Sequence, residues 1–479
     1  MSHARELLRH LQRSPYDSDV AGGLYSLKMD LLAADTPLGA ATAFAELLGG
    51  SAAAGSMGFQ PLHAYARDHD AIIGIAYPGG QGVIRMPMVR GQDRGPATPV
   101  SHRPVAVIRL EDAWITGRSG MIRVGDTLLS DHHADELAAC PVDYRFDPLV
   151  FEQNSDAAVA VLCPEGGPPL DEAISLVGCT SYNFGHWLLE YVFRYFVLRT
   201  QGLADGVPLL IDAGLARGQR DALQLYTQGR HPIIEVEALT SRRVRRLWVP
   251  TNLYFCPIMP LPGGPLTLEY VSSPPSYAAR LCRAMAASIE PVPGTPKRVY
   301  LARSLSLHRK LLNQSDIMDV CRSAGFEIIY PEEHDYRYQV SLALNADAII
   351  GPEGSAMLLA MHARPGARVL VLNHPFLENL PNLTHTLEEL GVYAEVLPGE
   401  CVRLSPDYRK FSDYEIAPND LRRRLAEWAL SSRAPGDVPA ETAPPSAVAG
   451  DTATPAGSPE SAPKRASLLR RLTGWVVGR

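Results

Sequence analysis

From about residue 160 onward, short apolar runs alternate with helical stretches, and this alternation constrains the fold more than any other feature. AVAVLC, ISLVG, VPLLID and PIIEVE read as strands, with helical segments near 184–200 and 215–229. Strand–helix–strand alternation implies a parallel sheet covered by helices. A proline-rich break at 257–296 (PIMPLPGGP, SSPPS, PVPGTP) interrupts it and contains one helical stretch, Ser276 to Ile289. The alternation then restarts. KRVYLA, FEIIY, DAIIG, ARVLVL and YAEVL read as strands, and 315–324, 335–345, GSAMLLAMHA and 418–431 as helices. Two such units leave a cleft outside the carboxyl ends of their strands, where ligands bind in open α/β sheets.

The flanks differ. Residues 3–50 read as two or three helices broken at Pro15 and Pro37, with no period repeated three times. From 71 to 160, IIGIAY, VAVIRL, AWITG and MIRVGDTLLS are β-branched strands divided by turns. Residues 433–463 hold almost no large apolar side chain and read as a disordered linker. It ends in KRASLLRRLTGWVVGR, a short segment placing Leu468, Leu469, Leu472, Trp475 and Val476 on one side and Lys464, Arg470 and Arg471 in support. Such a segment can lie on an anionic membrane surface; a frayed tail or a docking segment for a protein is the alternative.

Composition excludes some classes. A net charge of -7 argues against a general polyanion binder. Seven cysteines with no C-x-x-C pair suit scattered thiols rather than a disulfide framework. The first residues lack the apolar run of a signal peptide, and no stretch of about 20 apolar residues suggests a span. The chain is therefore expected to be cytoplasmic, with peripheral contact at the inner face of the membrane through its tail.

Two blocks can carry chemistry. In the second unit a strand ends at Arg303, and a loop then offers His308, Arg309 and Lys310 before a helix near Asp316. Strand DAIIG runs into Gly351, Gly354 and Ser355, which open the next helix. Free N–H groups at a helix start, glycines that admit a phosphate closely and permanently charged arginines suit a nucleotide diphosphate. In the first unit, SYNFGHWLLEYVFRYFVL is an apolar helix with His186, Glu190 and Arg194 at i, i+4 and i+8. That stripe is either a structural Glu190–Arg194 pair beside a core histidine, or a base and its partner. Asp68-His69-Asp70 and the pair His132, His133 are too short as motifs to argue for a metal. The run Arg242, Arg243, Arg245 and Arg246 reads as a solvated edge, with an acidic acceptor as the alternative.

Together these blocks resemble glycosyltransferase family 61. The family's N-x-x-H-W-L-x-E helix is matched by Asn183, His186, Trp187, Leu188 and Glu190. Its later motifs are matched in order by Arg303, by Arg309 and Asn313, by Gly325 and Phe326, by Gln339 and Val340, and by Gly351, Gly354 and Ser355. Gln314 stands where the family has Glu, and Glu353 where it has His. A carboxylate beside a diphosphate is unfavourable, so Glu353 either accepts from ribose or sugar hydroxyls or marks an altered donor preference or weak activity.

The resemblance implies an α/β, GT-B-like fold of two facing Rossmann-like domains, with an N-terminal helical and β-rich extension and a disordered C-terminal tail. The expected division is 1–60 helical, 61–285 β-rich lead and acceptor-side domain, 286–432 donor-binding domain, 433–463 linker and 464–479 basic segment. It implies an inverting glycosyltransferase that uses a nucleotide-sugar donor and a glycan or lipid-linked acceptor, in envelope or capsular polysaccharide synthesis, with no metal or cofactor and no nucleic-acid partner. His186 and Glu190 are the expected catalytic residues. Arg303, Arg309, Asn313, Gln339, Gly351, Glu353, Gly354 and Ser355 are the expected donor-binding residues. The alternatives are a different polysaccharide-modifying transferase on a similar fold and an inactive nucleotide- or sugar-binding homologue.

Overall fold

The computed structural model describes residues 6, 10, 18–91, 97–131, 142–253, 273–304, 309–375, 380–404 and 412–430. The expected linker and basic tail lie outside these residues, as do His132, His133 and His308.

The second unit follows from its sequence except at one edge, where Met88–Val89 joins its sheet from the N-terminal region. Six parallel strands form a sheet in the order Glu327–Ile329, Arg298–Leu301, Ala348–Pro352, Arg368–Asn373, Tyr393–Pro398, Met88–Val89. Strand residues alternate between two cores. Val299, Leu301 and Ile349 face one, with Tyr336, Val340 and Met357. Tyr300, Ala302 and Ile350 face the other, with Ile317, Val320, Leu421 and Leu425. Helices Gln314–Ser323 and Pro418–Leu430 thus cover one face, and Tyr336–Asn345 and Ser355–His362 the other. The connection leaving Leu301 departs to one face and that leaving Pro352 to the opposite face. The sheet therefore switches direction between these two adjacent strands, and the crevice at such a switch is where open α/β sheets bind ligands.

The first unit differs from a free-standing Rossmann-like unit. Strands Ile233–Val236, Leu209–Asp212, Leu170–Leu176 and Ser241–Pro250 are parallel, as the alternation requires. The last of them also pairs antiparallel with Val105–Thr116, and through it the sheet continues without an edge into the N-terminal strands, eleven in all. AVAVLC belongs to that antiparallel part: Ala157–Leu162 pairs with Ala53–Pro61. No helix separates it from the next strand, so it cannot enter by a parallel crossover. Ala53–Pro61 spans the expected boundary at 60/61 within this one sheet. Helices Ser18–Ala34 and Pro37–Leu48, the second capped by Thr36 with Pro37 at its first position, pack Leu24, Ala41 and Phe44 against Phe59, Phe151 and Val161.

The units share one core. Trp187, Phe196, Leu223 and Tyr226 of the first pack in the same cluster as Tyr336, Val340, Met357 and Ala360 of the second. Within it Tyr226 Oη lies 3.0 Å from Tyr336 Oη and 2.6 Å from His362 Nε2. His362 Nδ1 is 3.2 Å from Leu359 O, which assigns the proton to Nδ1 and makes Nε2 the acceptor of the Tyr226 hydroxyl. Burial lowers the His362 pKa to about 4.

Candidate functional site

The helix of the first unit starts where the sequence places it. Asn183 caps it, its Oδ1 accepting from Gly185 N at 2.9 Å and His186 N at 3.3 Å. The run Phe184–Gln201 is not a uniform α-helix. Trp187–Val192 forms wide π-type turns between α-helical ends. Such bulges are rare and concentrate at functional sites. The polar stripe divides accordingly. His186 Nδ1 lies 2.5 Å from Glu190 Oε1, with His186 29% exposed and Glu190 buried at 1%. Arg194 Nε donates to Asn252 Oδ1 at 2.6 Å, and its Nη2 lies 3.7 Å from Asp131 Oδ2. The two potential catalytic groups are thus paired with each other and reach solvent through His186.

The turn before this helix is fixed from a neighbouring strand. Buried Asp212, at the end of Leu209–Asp212, accepts from Gly178 N at 3.0 Å and Ser181 Oγ at 2.6 Å with one oxygen, and from Arg118 N at 2.5 Å with the other. Burial raises its pKa, against these hydrogen bonds. The turn carries Thr180, whose Oγ1 donates to Glu190 Oε2 at 3.2 Å. Sequence reasoning passed over both Asp212 and Thr180. Their pairing depends on contacts between strands, and neither stands in a motif.

In the second unit Arg303, Arg309, Gly351, Glu353, Gly354 and Ser355, all expected to bind the donor, gather at the switch point. Arg303 follows Arg298–Leu301, and its Nη1 donates to Glu353 O at 2.9 Å. Desolvation, with the neighbouring Arg309 charge, lowers the Arg303 pKa. Arg309 takes a left-handed conformation (φ 57°) and places Nη1 2.6 Å from Glu353 Oε2. The carboxylate that replaces histidine is therefore matched by a guanidinium. Gly354 has φ 153°, a backbone only glycine adopts readily, and an added Cβ would lie 3.0 Å from Arg303 Nη1. A Cβ at Gly351 would meet Leu301 O at 2.9 Å, so glycine there lets adjacent strand ends close up. Ser355 opens a 3₁₀ turn, Ser355–His362, with no side-chain cap on its first N–H groups.

Two of the expected donor contacts hold backbone, and so does Gln314. Asn313 Nδ2 donates to Ile416 O at 2.8 Å and its Oδ1 accepts from Ile416 N at 3.2 Å. Gln339 Nε2 donates to His334 O at 3.0 Å. Gln314, the other departure from the family pattern, accepts from Arg303 N at 3.2 Å and donates to Arg303 O at 3.0 Å. These residues shape the arginine loop and the segments beside it. The arginine run of the first unit is matched by partners: Arg243 by Asp112, Arg245 by Asp171, Arg246 by Glu172, and Arg242 by Gly166 O.

The two halves of the site touch. An added Cβ at Gly185 would lie 3.0 Å from Ser355 Oγ and 3.6 Å from Leu358. The residue before His186 thus abuts the start of the Ser355–His362 turn. Among the described residues, no helix is long and apolar enough to cross a membrane. Residues 184–370, which run from the His186 helix through the switch point, match the family model described as Glycosyltransferase 61. No curated protein matches the chain.

Proposed function

We propose that this member of glycosyltransferase family 61 moves a sugar from a nucleotide-activated donor to an acceptor hydroxyl in one inverting displacement. The observation that carries the reading is the contact of Gly185 with Ser355, which sets a His–Glu pair beside the strand ends that carry Arg303 and Arg309. The donor diphosphate lies against Arg303, Arg309 and the N–H groups at Ser355, which supply positive charge where the leaving group gains negative charge. With Nδ1–H donated to Glu190, His186 Nε2 is the free acceptor that takes the acceptor's hydroxyl proton. The acceptor oxygen attacks the anomeric carbon, the bond from that carbon to the phosphate oxygen breaks, and the nucleoside diphosphate departs with the electron pair. No metal is assigned a role in this proposal, because Arg303, Arg309 and the N–H groups at Ser355 supply the positive charge in it. A GT-B-like division of labour follows, with the acceptor on the first unit. The envelope or capsular acceptor and the cytoplasmic location, with tail-mediated contact at the membrane, belong to the same proposal.

Release of nucleoside diphosphate from a panel of uridine, guanosine and thymidine diphosphate sugars tests it. His186→Ala is expected to lower turnover by about 10²–10⁴. Arg303→Ala should weaken donor or transition-state binding by about 1.5–3 kcal/mol. Normal turnover in a folded His186→Ala protein would leave His186 a core residue. The Glu353–Arg309 pair favours a second reading, a nucleotide-binding homologue with little turnover; binding without product release in the same panel supports it.

A further inference from the structure

We propose that Thr180 is a positioning residue for the His186–Glu190 pair, holding the Glu190 carboxylate in the orientation that fixes the histidine tautomer; this rests on the reading of His186 as the base. The hydrogen bonds have one consistent direction. Glu190 Oε2 can only accept from Thr180 Oγ1, so the threonine proton is committed to that 3.2 Å contact. The 2.9 Å contact between Thr180 Oγ1 and Tyr191 Oη then has tyrosine as donor. Tyr191 Oη in turn accepts from Thr180 N at 3.3 Å. The far carboxylate oxygen, Oε1, is left to take Nδ1–H of His186. The order is Tyr191, Thr180, Glu190, His186, which leaves Nε2 as the acceptor of the neutral ring.

Each part is built in. Tyr191 Oη fits only because residue 178 is glycine: a Cβ there would lie 2.3 Å from it. Asp212 holds that same Gly178 and Ser181, so the turn presenting Thr180 is anchored on both sides. The wide helical turns at Trp187–Val192 bring consecutive residues, Glu190 and Tyr191, onto the one threonine hydroxyl. Burial and the Glu190 charge push the Tyr191 pKa up, so its hydroxyl keeps its proton. Among the described residues, the charged or titratable groups around the pair and its turn include Cys179, whose thiol burial holds protonated, Tyr182, Arg194, Arg118, Asp212 and Asp147. A carboxylate oriented by a hydroxyl, and itself orienting an imidazole, is the arrangement by which an acid fixes a base without exchanging protons with it.

The test uses the full chain labelled with ¹⁵N-histidine. The Nδ1–H resonance of His186 is the one absent from His186→Ala. It is expected to be hydrogen-bonded and downfield in the wild-type protein, kept in Thr180→Ser and shifted or lost in Thr180→Val. Tyr191→Phe removes the hydroxyl behind the threonine and should move the resonance in the same direction, by less; it also serves if the valine variant does not fold. With the nucleotide-sugar panel, Thr180→Val should lower kcat about tenfold at unchanged donor KM. Thr180→Ser should restore it, and Thr180→Val should cause no further loss in a Glu190→Gln background, because the effect runs through Glu190. An unmoved resonance in both Thr180→Val and Tyr191→Phe, or no His186 Nδ1–H signal in the wild type, overturns the proposal. Normal turnover in His186→Ala would instead overturn the base assignment, and the resonance would still decide the role of Thr180.

Discussion

Glu353→Gln keeps the shape of the side chain and removes one negative charge from the switch-point crevice. Two effects of opposite sign follow. Arg309 and Glu353 are 23% and 16% exposed, between a surface pair worth up to about 1 kcal/mol and a buried pair whose breakage costs about 3–5 kcal/mol. The glutamine oxygen still accepts from Arg309, so a stability loss of about 1–2 kcal/mol is expected. Ligand binding should move the other way. A carboxylate about 6 Å from a phosphate charge opposes it by about 3 kcal/mol at an effective dielectric of about 20. Counter-ions beside these partly exposed side chains remove part of this, leaving about tenfold tighter binding of a nucleoside diphosphate at low salt. Calorimetric titration of uridine, guanosine and thymidine diphosphates at two ionic strengths, beside a thermal melt, measures both. Unchanged or weaker diphosphate binding at low salt in the variant refutes the idea that Glu353 competes with the phosphates for Arg309. Tighter diphosphate binding with weaker binding of the intact nucleotide sugar assigns Glu353 a second task as acceptor for a sugar hydroxyl.

Other outcomes follow from the same structure. With the His362 pKa lowered from its ordinary value of 6.5 to about 4, the unfolded chain binds this proton at a higher pH than the folded one. Stability is then full above pH 6.5 and falls as pH drops toward 4, by an amount on the order of 3 kcal/mol, and His362→Gln should flatten this limb in calorimetry between pH 7 and 4.5. Gly354→Ala forces a left-handed φ on alanine and crowds Arg303, so it should cost about 1–3 kcal/mol of stability and weaken nucleoside diphosphate binding; equal affinity would remove the turn from the phosphate site. For the basic tail, the full chain should sediment with anionic liposomes in a salt-sensitive way and a chain ending at Arg433 should not; equal, salt-insensitive partitioning of both eliminates the membrane role.

The second unit was legible because Arg298–Leu301, Glu327–Ile329, Ala348–Pro352 and Arg368–Asn373 are each followed by helical turns, and the period changes visibly at each join. The pairing of His186 with Glu190 was legible from i, i+4 spacing. Arg194 was not, because the π-type turns rotate it toward Asn252 and Asp131, and no propensity announces such a bulge. Family motifs located Asn313, Gln314 and Gln339 without revealing that their amides grip the backbone of Ile416, Arg303 and His334. The first unit was hardest to read. Whether Ser241–Pro250 ends a parallel sheet or continues into Val105–Thr116 depends on partners more than 100 residues away, which local pattern does not specify. For the same reason Met88–Val89 could not be foreseen at the edge of the other sheet.

The common core around Tyr226, Tyr336 and His362 bears on how specificity can change in proteins of this design. Where two halves meet across a wet seam, a new donor half can be spliced to an old acceptor half. Here a splice near residue 290 would cut through interdigitated Trp187, Tyr226, Val340 and Met357, and a foreign half would have to reproduce their shapes to the methylene. New donor and acceptor preferences are therefore expected to arise by substitution in the crevice, at positions such as Glu353, and chimeras of whole halves to misfold.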